Sequence, residues 1–71
     1  MSERAEVCKA YRIVLTDLEK SVEEVKRGFG VEIAKVVVDA LDVVVSRAYN
    51  LGCVPSDWVE RIRAMKFREY G

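Results

Sequence analysis

Histidine and glutamine are absent from this chain, asparagine occurs once as Asn50, and proline once as Pro55. Without histidine the chain lacks the commonest general base and the usual catalytic triads, and no complete set of catalytic residues is left. Cys8 and Cys53 stand far apart with no CxxC spacing, so a zinc site would have to be built from carboxylates, which is not expected. Long apolar runs are missing as well. Lys35, Asp39 and Asp42 interrupt the longest one, so no membrane span is expected. The first residues lack an apolar core followed by a small-residue cleavage site, so no secretory signal is expected and a cytoplasmic location follows. An excess of charge is missing too. Twelve basic residues balance twelve acidic ones, which argues against a surface aimed as a whole at phosphate and makes nucleic acid an unfavoured partner. Scarce amide side chains beside 34% charged residues are the composition expected of a thermophile's cytosolic protein.

What is present is a chain of 71 residues, 51% of them hydrophobic, which is one helical domain over residues 1–71. A core of that size supplies only about 3–5 kcal/mol, so a staple or a partner chain is a natural supplement. Gly28 and Gly30 flank Phe29, and Gly52 precedes Cys53-Val54-Pro55. Between these points lie three stretches free of proline and glycine, and they predict an all-α three-helix bundle with helices at about 3–27, 31–51 and 55–68. Ser2 is the expected cap of the first helix, with Glu3 and Glu6 at its positive end and Lys26 and Arg27 at its negative end. Pro55 suits the first position of the third helix.

The short Gly28–Gly30 connection predicts an antiparallel first hairpin. On the first helix Val7, Tyr11, Val14, Leu18, Val22 and Val25 form one stripe at spacings of three and four. On the second helix apolar side chains cover roughly 220° of the wheel, beyond the usual face of a surface helix. Its polar remainder is the strip Glu32, Lys35, Asp39, Asp42, Ser46 and Asn50. The expected core is Val37, Leu41, Val44 and Ala48 against Val14, Leu18 and Val22, with Trp58 and Ile62 closing the open end of the hairpin. Tyr70 and Phe67 fall off the inward stripe of the third helix. Counting from Phe29, Cys8 lies 21 residues before it and Cys53 lies 24 after, so the two come to nearly the same level. A reducing cytosol then predicts neighbouring free thiols without a bond.

Three functional readings follow. Glu19 and Glu23 on the first helix and Glu32 and Asp39 on the second are carboxylates that, if they face one another, can hold magnesium, which takes oxygen ligands. The competing reading pairs each acid with a neighbouring lysine or arginine at the surface. Residues 22–62, VEEVKRGFGVEIAKVVVDALDVVVSRAYNLGCVPSDWVERI, resemble the MazG-like all-α nucleotide pyrophosphohydrolases, in which an acidic helix turns into a second helix with paired acids and an apolar run closing at LG. The resemblance implies magnesium at Glu32 and Asp39 on a face that takes a nucleoside triphosphate. Lys35-Val36 stands where that family places an acid, and DLEKSVEE stands in place of its EExxE.

The second reading is a helix-turn-helix. Ala48 and Gly52 are spaced as around such a turn, and a recognition helix would offer Arg61 and Arg63 to DNA. The leading reading is a non-enzymatic module, with no catalytic residues and no cofactor, that contacts another protein or a second copy of itself. If the third helix covers only one end of the hairpin, Val38 and Val45 are the association surface and a homodimer is expected.

Overall fold

The computed structural model describes residues 3–71, so Ser2, the expected cap, lies outside the described residues. Three helices follow one another: α1 (Glu3–Phe29), α2 (Val31–Asn50) and α3 (Ser56–Glu69). The all-α three-helix prediction holds, with two shifts at the ends. Gly28 stays helical, and the break falls at Gly30, whose φ of 92° suits a residue without a Cβ. Gly30 alone separates α1 from α2, its N–H donating to Lys26 O and its carbonyl accepting from Ala34 N–H. Pro55 is the cap residue of α3 rather than its first helical position. At the far end of α2 the amides of Gly52 and Cys53 donate to the carbonyls of Tyr49 and Ala48, and Gly52 takes a φ of 77° to make that turn.

α2 packs against both α1 and α3. Its inward line is Ala34, Val38, Leu41, Val45 and Ala48, each 0% exposed. From α1, Cys8, Leu15 and Val22 meet it, and from α3, Val59 and Ile62. The expected core was right at Leu41, Ala48, Val22 and Ile62 and turned by part of a face elsewhere. Val37, Val44 and Leu18 are half-buried, and Val14 is exposed. The reason lies in α3, which does not cap the open end of the hairpin but runs along it. Trp58 and Arg61 reach Glu19 near the middle of α1, Lys66 reaches Asp39 and Asp42, and the Tyr70 ring lies under Lys26 near the end of α1. Val38 and Val45 therefore point between α1 and α3 and cannot be an association surface; the proposed exposure of these two valines is corrected. Tyr70, expected off the stripe, is buried because the chain leaves the helix there with φ −131° and returns the ring to the hairpin, whereas Phe67 is exposed as expected.

The two cysteines lie at the expected level, but they are bonded rather than free thiols. Cys8 and Cys53 form a disulfide with their Cα atoms 4.8 Å apart, within the span such a bond requires. It ties the start of α1 to the α2–α3 turn, where Arg4 also donates to the Leu51 carbonyl.

Candidate functional site

The polar strip of α2 faces α3 along one edge. Lys66 Nζ lies 3.2 Å from both Asp42 Oδ2 and Asp39 Oδ1. Arg63 donates to Ser46 Oγ, and its Nε lies 3.5 Å from Asp42 Oδ1, an ion pair rather than a hydrogen bond. Hydrogen bonds from Lys66 to Asp42 and then Asp39 hold its ammonium above the ordinary lysine value of 10.5. A raised folded-state value stabilises the protein fully below the unfolded value and is lost as pH rises through the folded one. The difference in thermal midpoint between the wild type and Lys66→Met should therefore stay constant from neutral pH up to 10.5 and shrink above it. A difference that shrank on acidification below neutrality, before the carboxylates protonate, would contradict the assignment.

The acids proposed for magnesium are dispersed. Glu19 accepts from the Trp58 indole N–H and from Arg61, Glu32 pairs with Lys35, and Asp39 pairs with Lys66. Glu23 is exposed on α1. Among the described residues no group of three or more histidine, cysteine, aspartate or glutamate side chains converges as a metal site. The arginines proposed for DNA are likewise engaged within the chain. Arg61 lies over the Trp58 ring while reaching Glu19, and Arg63 reaches Asp42.

The feature that the polar residues leave over is apolar. About Leu15 on the α1 wheel, at about 100° per residue, Glu19 turns toward α3 while Val7, Ala10 and Val14 turn the other way. About Leu41 on α2, Asp42 and Ser46 turn toward α3 while Ile33, Val37, Ala40 and Val44 turn the other way, with Val36 and Val43 beyond them. Because α1 and α2 are antiparallel, the two outward flanks form one face of the hairpin, on the side opposite α3. Val36 is 65% exposed, Val43 51% and Ile33 50%. Tyr11, Leu18, Val25, Val37 and Val44 line the same face half-buried. A shallow apolar depression of about 240 Å³ lies on it among Val7, Ala10, Tyr11 and Val14. Arg47, one heptad after Ala40, is the charged residue of α2 on this face, toward the end of the helix.

Sequence reasoning noticed the wide apolar arc of α2 but not where its surplus points. The signal on α1 was two apolar ridges in heptad register, Val7-Val14 beside Cys8-Leu15, of which one hairpin buries only the second. The fold and this face define a small all-α bundle with one helix pair left open on one side. Among the described residues no helix is long and apolar enough to cross a membrane. Compared with models of protein families, with curated proteins and with solved structures, the chain matches none.

Proposed function

We propose that this protein is a non-enzymatic helical module whose task is to contact another protein through the uncovered face of the α1–α2 hairpin. The observation that carries the reading is the continuity of that face: valine, isoleucine, alanine and leucine side chains from two helices, with α3 and its ion pairs confined to the other side. Patches of this kind on a small protein mark interaction sites. The overall shape agrees. The radius of gyration is 12.7 Å, against about 11 Å for a compact chain of this length, and the Cα extents are 42 × 20 × 13 Å, a slab with one bare side. The setting that suits both the composition and a structural disulfide is a thermophile's cytoplasm, where such bonds persist.

The reading is tested by placing charge on the face. Val36→Glu combined with Val43→Glu should abolish association, or the binding of an apolar surface dye by the free protein, while helicity and the disulfide are retained. Unchanged mass together with unchanged dye binding would show that no docking surface lies there.

A further inference from the structure

We propose that the occupant of this face is a second copy of the chain, related by a twofold axis passing beside Ala40, so that two α2 helices cross antiparallel and two hairpins close a four-helix layer. This rests on the reading of the face as a docking surface and names its partner.

The first observation is the symmetry of α2 about its own midpoint. Val36 and Val37 precede Ala40 by four and three residues, and Val43 and Val44 follow it by three and four. Ala40 is exposed between them, and Val36 and Val43 are the exposed valines of the pair on either side. A twofold axis at Ala40 would bring Val36 of one copy against Val44 of the other and Val37 against Val43, ridge beside ridge. The small Ala40 side chain leaves room for two helices to approach to the about 8–10 Å at which helices pack. α1 has the same symmetry at the same level. Leu18 lies beside the middle of α2, with Tyr11 and Val25 seven residues to either side, all three half-buried at the edge of the face.

The second observation is area. α2 has 20 residues and so is about 30 Å long, and two helices packed about 8–10 Å apart, with their side chains, are about 20 Å wide, giving a face of about 600 Å². A specific interface takes about 600–1,000 Å² from each partner, so the face is large enough for a stable dimer. The chain exposes 4973 Å², whereas a monomer of 8.1 kDa exposes about 4,500 Å²; the surplus is of the size that one flat face accounts for.

The third observation is charge. Arg47 falls on this face one heptad after Ala40; a twofold axis at Ala40 keeps the arginines of the two copies at opposite ends of the interface, and the chain's net charge is +0, so nothing sets one copy against another. A lipid surface would instead call for lysine and arginine flanking the apolar strip. The outer flank of α1 next to this face carries Asp17 and Glu24.

The test places a single thiol on the axis. Cys8 and Cys53 are bonded to each other, so Ala40→Cys adds the one free thiol among the described residues. Mild oxidation should convert most of this variant to a covalent dimer, while Ala64→Cys, exposed on α3, stays monomeric under the same conditions. Ala40→Glu should weaken association at least about a hundredfold, because two carboxylates would be buried without partners. Failure of Ala40→Cys to cross-link, or a dimer that persists unweakened in Ala40→Glu, overturns the proposal. If the protein is a monomer whose dye binding is lost in the Val36→Glu, Val43→Glu variant, the second copy is wrong and the docking face stands. If dye binding is also unaffected, both fall.

Discussion

Leu41→Ala should lower the stability of the folded chain by about 2–5 kcal/mol. Leu41 is 0% exposed at the middle of α2, where the helix is wedged between α1 and α3, and its loss would leave a cavity lined by residues of a rigid helix pair. Small domains of this size draw only about 3–5 kcal/mol from the core, so the variant should be folded mainly by virtue of the disulfide. The contrast is Val43→Ala, at an exposed position of the same helix, which should change the stability of the monomer by less than about 0.5 kcal/mol. Denaturant unfolding of the two variants at equal concentration checks the pair. A loss below about 1 kcal/mol at Leu41 would place the wrong face of α2 inside.

Reduction of the disulfide should have an effect of similar size. Cys8 and Cys53 are 45 residues apart, and closing a loop of that length restricts the unfolded chain by about 4 kcal/mol of entropy. For so small a domain each kcal/mol moves the thermal midpoint by about 4–8 °C, so the midpoint should fall by about 15–30 °C. The bond ties the start of α1 to the α2–α3 turn, so its loss should fray the open end first, with Cys8 and Arg4 released before Val22 and Ala34 near the Gly30 turn. Thermal unfolding with and without a thiol reductant, beside Cys8→Ala with Cys53→Ala, measures this. A shift of only a few degrees would show that the hairpin holds its open end without the covalent tie.

Much of this arrangement was legible in the residues, and the gaps have physical causes. Gly30, Gly52 and Pro55 marked the helix ends because positive φ and a missing N–H act locally. Gly28 stays within α1, since a single glycine costs only about 1 kcal/mol relative to alanine and does not by itself end a helix. The inward face of α2 was misjudged because it depends on where α3 lies, and a helical wheel does not contain a third helix. Val38 and Val45, a surface on the wheel alone, are the seam between neighbours. On α1, the ridges Val7-Val14 and Cys8-Leu15 have the same seven-residue spacing, so periodicity alone could not choose between them. The level of the two cysteines followed from the rise per residue, but whether they bond depends on redox chemistry that the sequence does not encode. Glu19, proposed as a metal ligand, is held by Trp58 and Arg61 from a helix more than 30 residues away, a contact only the tertiary structure reveals.

A second copy covering the apolar face of the α1–α2 hairpin would double the mass of the protein in solution. Light scattering of the unmodified protein across a concentration series tests it most directly. The expected mass is twice 8.1 kDa, falling toward 8.1 kDa on dilution and restored on concentration. A mass of 8.1 kDa that stays constant to the highest concentration the protein tolerates would contradict it.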